Sequence, residues 1–172
     1  MAHWWVNQKT TYRQERDARI LWAPILTTNG LKQKNWEYMT EVAVGDTVWH
    51  YARGKMMAVG LATAPFVESP RPSDLPAAAW DVDGRLVRAD YHEAPVPPVL
   101  DDIPLPLRLA EPQSGPFTRD GQVKQAYLFP LSEDLADFLT RSFGPLYPAG
   151  TTAADRTVAR DGGWCSRGIR GG

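Results

Sequence analysis

The chain has 172 residues, 43% of them hydrophobic and 23% charged, with a formal net charge of −1. That is enough for one domain with a buried core, and too neutral for a globally basic nucleic-acid coat. A single cysteine, Cys165, excludes a disulfide framework within the chain and any metal site of two or more thiolates.

Trp4-Trp5-Val6-Asn7 predicts an opening strand. Thr10 to Arg19 predicts a short helix with Thr10 or Thr11 as N-cap. Ile20-Leu21-Trp22-Ala23-Pro24 is an apolar run that stops at Pro24, with Trp22 in a loop, and Asn29-Gly30 marks a turn. Asn35-Trp36-Glu37-Tyr38-Met39 starts a second short helix. Thr47 to Tyr51 is a strand, Ala52-Arg53-Gly54-Lys55 a hairpin turn, and Met56 to Ala62 the returning strand. Arg85 to His92 alternates well enough for a third strand of this kind.

Residues 94–116 hold seven of the fifteen prolines and read as extended, irregular chain. Gln122 to Phe129 predicts a last strand. Ser132 caps a helix with Leu135, Phe138, Leu139 and Phe143 on one face, ended by Gly144. From 149 to 172 the composition turns to Gly, Arg, Thr and Ala, which reads as a flexible tail or truncated linker after a domain over 1–148. Short strands with a few short helices and no βαβ rhythm predict an α+β fold with a small curled sheet.

Five of the seven tryptophans fall within the first 49 residues, among polar and basic stretches. Residues 1–60 carry eight Lys/Arg against five Asp/Glu, and residues 61–112 carry four against nine. Flat aromatic faces beside cations and amides suit a nucleobase with its charged backbone. Trp4 and Trp5, adjacent on a strand, face opposite ways, so one is core and the other lines whatever the sheet faces. Trp22 in a loop, Trp36 at a helix start and Trp80 before Asp81 each read either as ligand contacts or as packing.

Chemistry is scarce. His3, His50 and His92 have no second ligand at metal spacing, and no phosphate-binding loop or nucleophile elbow occurs. No cofactor is expected, and no catalytic residue stands out. His50 is a candidate base without a visible partner. The N-terminus lacks a secretory pattern, and no apolar run approaches the roughly 18 residues of a membrane span, so the expectation is a cytosolic protein with no membrane partner.

Trp4-Trp5-Val6-Asn7-Gln8, Leu21-Trp22-Ala23-Pro24, Asn35-Trp36-Glu37-Tyr38-Met39, Val44-Gly45-Asp46-Thr47-Val48 and His50-Tyr51 occur in that order. Pro70-Arg71-Pro72 and Gly121-Gln122-Val123-Lys124-Gln125-Ala126-Tyr127-Leu128-Phe129-Pro130 follow. Over residues 3–140 this set resembles the EVE-type modified-DNA-binding domain, a PUA-superfamily module related to YTH and ASCH domains. In bacteria such modules often precede nucleases or motor proteins that restrict modified phage DNA.

The resemblance implies a small curved sheet or barrel flanked by helices, whose cleft holds a flipped base in an aromatic cage. It puts Trp22 and Trp36 in the pocket and, by position, Asn7 and Tyr51, with Trp80 closing the cage. Trp5 is a further candidate for the expected pocket. Asn7 or Gln125 would read the base edge. Arg13, Arg16, Arg19, Lys32, Lys34, Arg53, Lys55 and Lys124 are the expected phosphate contacts. The implied ligand is methylated double-stranded DNA, 5-methylcytosine first, bound by a monomer acting in restriction or defence with a separate nuclease. The alternatives are a modified-RNA reader of the same superfamily, a nucleotide-acting enzyme using His50, and a protein whose indoles are simply core.

Overall fold

The computed structural model describes residues 1–75 and 83–147. Trp80 and the segment from 148 onward, including Cys165, lie outside them. In chain order the elements are β1 (His3–Asn7), α1 (Tyr12–Ala18), β2 (Ile20–Pro24), α2 (Lys34–Glu37), β3 (Thr47–Ala52), β4 (Lys55–Leu61), β5 (Val67–Pro70), β6 (Asp83–Arg88), β7 (His92–Glu93), α3 (Leu105–Ala110), β8 (Leu128–Pro130) and α4 (Glu133–Ser142). Short 3₁₀ turns follow α2 and α4 and precede α3.

Two sheets carry the fold, which is α+β with no closed barrel among the described residues. The larger is mixed, in the order β7-β4-β3-β1-β8, and the smaller is antiparallel, in the order β2-β6-β5. β1 lies parallel to β3, pairing Trp5 with Trp49 and Asn7 with Tyr51, and antiparallel to β8, pairing Trp5 with Phe129. Alternation along β1 and β3 sends side chains to two cores, one on each face of the larger sheet. Trp4, Val6, Val48 and Leu128 pack with Leu21, Ala23 and Val87 of the smaller sheet and with Tyr38 and Met39. Trp5, Trp49, Tyr51 and Phe129 pack with Leu135, Leu139 and Phe143 of and after α4, and with Phe117 and Ile103.

The turn chemistry sets these elements locally. Ser132 Oγ accepts the Leu135 N–H at the start of α4, whose first turn carries Glu133 and Asp134. Arg19 closes α1 in the left-handed region (φ 53°), where its N–H reaches the Arg16 carbonyl. Three expectations are corrected. Residues 20–24 form a paired strand rather than a loop, because β6, at Gly84 to Arg88 far along the chain, supplies their partners. The proline-rich stretch contains α3, which tolerates Pro106 because it falls in the first turn. The last strand covers only Leu128–Pro130, since residues 122–127 leave the sheet to edge a cleft. β5 went unrecognised: Val67-Glu68-Ser69-Pro70 is short, exposed and ends in proline, as an edge strand can.

Gly84 on β6 lies under the Trp22 ring, and a Cβ there would sit 2.4 Å from Cε2 and Cζ2 of the indole. Gly84→Ala is therefore expected to destabilise the protein by about 1–3 kcal/mol through overpacking, measured by denaturant unfolding.

Candidate nucleic-acid interface

The parallel strands β1 and β3 end side by side at Asn7 and Tyr51. The chain leaves β1 through Gln8, Lys9 and Thr10, with Lys9 in the left-handed region at φ 46°. Residues 122–127 return along the same edge before entering β8. The crevice outside these strand ends is where ligand sites gather in open sheets with parallel strands.

Two adjoining cavities occupy it. The first, about 500 Å³, lies between the β1 exit, α2 and the chain entering β8; Trp36, Gln33, Asn35, Thr11 and Tyr127 line it. The second, about 440 Å³, lies towards the β3–β4 hairpin and is lined by Tyr51, Arg53, Gly54, Leu100 and Gln122. Asn7, Lys9, Thr10 and Gln125 belong to both. Lys9 Nζ donates to the Gln125 carbonyl at 3.0 Å, a clasp along the boundary. Asn7 Nδ2 donates to the Lys124 carbonyl at 3.0 Å, which fixes the amide at the crevice. Amides, hydroxyls, three aromatic rings and two cations dominate the lining, and among the described residues no carboxylate takes part in it.

Beneath the first cavity lies a buried polar network around Glu15, which is 1% exposed. Gln8 Nε2 donates to Glu15 Oε2 at 2.7 Å and to the Tyr91 hydroxyl at 2.6 Å. The Tyr127 hydroxyl donates to Glu15 and accepts the Trp22 N–H, and the Thr11 hydroxyl reaches Glu15 Oε1. Tyr91 donates onward to the Ile20 carbonyl. With the Gln8 donors so engaged, its Oε1 faces His50 Nδ1 at 3.2 Å, which makes Nδ1 the protonated nitrogen. Tyr91 stacks on that imidazole at 3.8 Å. Gln8 and Tyr127 donate to Glu15, while the single hydroxyl hydrogen of Thr11 is shared between Glu15 and the Gln8 carbonyl, 2.7 Å away. Among the described residues no cation partners Glu15, and burial raises its pKa to about 7. Burial drives His50 the other way, down to about 3.

The structure brings Asn7, Trp36, Tyr51, Gln125 and Arg53 of the expected site together at this crevice. Two other expected pocket residues are corrected. Trp22 is buried on the far face of β2 with Ile20 and Leu75, its Nε1 donating to the Ser69 carbonyl at 3.3 Å. Its backbone touches the network, but its ring points away from both cavities. Trp5 is fully buried, packed against Tyr51 at 4.9 Å and Phe117 at 5.4 Å.

Most of the expected phosphate contacts are also elsewhere. Lys124 Nζ holds the Gln113 and Gly115 carbonyls, so it fastens its own loop. Arg16 is held by Asp17 and Glu93. Lys32 faces Glu37 and Lys34 faces Glu41, and Arg13, Arg19 and Lys55 are exposed but line neither cavity. His50 is fully buried and lines neither cavity either. The residues the sequence reading omits are Lys9, Thr10, Thr11, Gln33 and Asn35. Their signal was the polar stretch directly after the first strand and directly before Trp36.

Backbone strain marks the same place. Among the described residues three non-glycine residues have positive φ: Lys9, Arg19 and Arg53. Such a conformation costs an L-residue roughly 1–2 kcal/mol. Arg19 ends a helix, where that conformation is usual. Lys9 and Arg53 are the two cations of the paired cavities. In the Arg53-Gly54 hairpin turn, Asn or Gly would fit the first position with less strain.

Among the described residues no helix is long and apolar enough to cross a membrane, and no cluster of three metal-ligating side chains occurs. No family model matches the chain, and no curated protein matches it. Solved structures do resemble it. A Rhodopseudomonas palustris protein solved by NMR is 14% identical with a TM-score of 0.51, over 85% of this chain and 95% of that one. A hypothetical protein from Leishmania major is 9% identical with a TM-score of 0.52, over 84% and 96%. At such identities the likeness speaks for the fold alone.

Proposed function

We propose that the chain is a reader of modified DNA of the EVE type, which receives an extruded base, 5-methylcytosine first, in the cavity beside Trp36. The observation that carries this reading is the lining of the paired cavities: amides, hydroxyls, aromatic faces and cations, with no carboxylate among the described residues to repel phosphate. Trp36 supplies the stacking face in place of Trp22. Asn7, Gln33, Asn35 and Gln125 offer hydrogen-bonding groups for the base edge. The reading assigns the chain binding and no catalysis, and a separate nuclease as its partner in defence against methylated foreign DNA.

Magnitudes constrain the proposal. Stacking returns about 1–3 kcal/mol per base against an extrusion cost of a few kcal/mol. Net affinity therefore comes from the phosphates and falls with salt. A single methyl group in an apolar niche gives about 10–200-fold discrimination at most.

The test is a binding panel of duplexes carrying C, 5-methyl-C, 5-hydroxymethyl-C or N6-methyl-A at two salt concentrations, with a matched RNA competitor. Trp36→Ala is expected to lower affinity for the modified duplex about 10–100-fold and leave weak, salt-sensitive binding to unmodified DNA. Equal binding of methylated and unmethylated duplexes by the parent protein would overturn the reading. Preference for the RNA competitor would move it to modified RNA.

A further inference from the structure

A flipped base fills one cavity, yet the crevice has two, and they differ in chemistry. The first carries the indole and most of the amides. The second carries Arg53 at the hairpin tip, the Tyr51 edge and Gln122. Lys9 borders both, and its partner among the described residues is the neutral carbonyl of Gln125 on an exposed surface. An anionic oxygen is a stronger acceptor for an ammonium than a peptide carbonyl, so a phosphate entering here displaces the clasp and takes Lys9. Both cations occupy left-handed backbone that lysine and arginine rarely adopt. At each position a residue better suited to the turn would give up a charge at the groove. Retention of a locally unfavourable residue is expected where its side chain is used.

We propose that the second cavity seats the phosphodiester flanking the extruded nucleotide, with Lys9 and Arg53 as its cations. This rests on the modified-DNA reading above and adds a distinct subsite to it. The base cavity supplies preference for the modification. The phosphate seat supplies affinity that is blind to it.

Lys9→Asn and Arg53→Asn test the seat. Each is expected to weaken methylated and unmethylated duplexes equally, about 5–10-fold at low salt, and to lower the salt slope by about 1. Arg53→Asn should unfold at the same temperature as the parent or higher, because asparagine suits the turn; that separates lost binding from lost folding. Unchanged affinity and slope in both variants would overturn the seat, even with methyl preference intact. Conversely, a parent without methyl preference whose salt slope still depends on Lys9 and Arg53 would sink the base reading and leave the seat standing. If no duplex binds, inorganic phosphate followed by NMR decides. Shifts at Lys9 and Arg53 that the variants lose support the seat, and their absence in the parent overturns it.

Discussion

Trp22→Ala is expected to cost about 3–5 kcal/mol of stability, the range for removing a buried aromatic side chain. The ring is enclosed by Ile20, Leu75 and the surface of Gly84, and its Nε1 bond to Ser69 is lost as well. Such a loss takes much of the 5–15 kcal/mol by which domains of about this size are stable, so the variant alone would confuse folding with binding. Trp22→Leu separates them. It keeps an apolar filling and folds at lower stability, but it has no face on which a base could stack. Denaturant unfolding should show the loss, and the affinity ratio for methylated against unmethylated duplex should equal the parent's. A folded Trp22→Leu protein that has lost the preference would return Trp22 to the ligand.

The second large effect is on pH dependence. Glu15 titrates at about 7 in the folded protein against an ordinary 4.5, and His50 at about 3 against 6.5. Folding strengthens proton binding at Glu15, so its contribution to stability is full below 4.5 and is lost as pH rises to about 7. Folding weakens proton binding at His50, so its contribution is full above 6.5 and is lost as pH falls towards 3. Each amounts to one proton, a slope of about 1.4 kcal/mol per pH unit. Between 4.5 and 6.5 the two slopes oppose and cancel.

These two groups together should therefore add no net slope across that window, and any slope of the parent comes from other groups that folding shifts, among them His3, lowered by burial, and Glu111, raised by burial. Relative to the parent, Glu15→Gln should lose stability by about 1.4 kcal/mol per unit as pH falls from 6.5. His50→Asn should lose it as pH rises towards 7. Denaturant titrations at half-unit pH intervals measure both. A Glu15→Gln profile with the parent's slope would refute the compensation. The nearby Tyr91 and Tyr127 hydroxyls are pushed further up by burial and stay protonated throughout.

Much of this fold was legible because its signals are local. Short aromatic and β-branched runs marked β1 and β3, Arg53-Gly54 between two apolar strands marked the hairpin, and Ser132 as a cap before an apolar helical face marked α4. What the sequence hid depends on distant partners. Whether Ile20–Pro24 is a strand is decided by β6, and the direction of the Trp22 ring follows from that pairing. The clustering of Trp36, Asn7 and Gln125 was anticipated through a resemblance, not through spacing. Lys9 was hidden because a lone lysine in a polar stretch looks like any solvated surface. Only the conformation of its backbone and the return of residues 122–127 set it apart. The Glu15 network was equally out of sight: nothing in Tyr12-Arg13-Gln14-Glu15 distinguishes a buried carboxylate from an exposed one.

The crevice joins residues 7–11 to residues 122–127, linked by an Asn7–Lys124 bond that spans 117 positions. Among the strands of the described residues β1 is made first, both of its neighbours are made later, and β8 is made last. Until then the groove is half built and β1, paired with β3 alone, presents an open edge, which is an invitation to aggregation. Loop closures this long are also slow. The crevice is thus completed only at the end of folding, and a chain interrupted before Leu128 lacks the strand that closes the open side of β1.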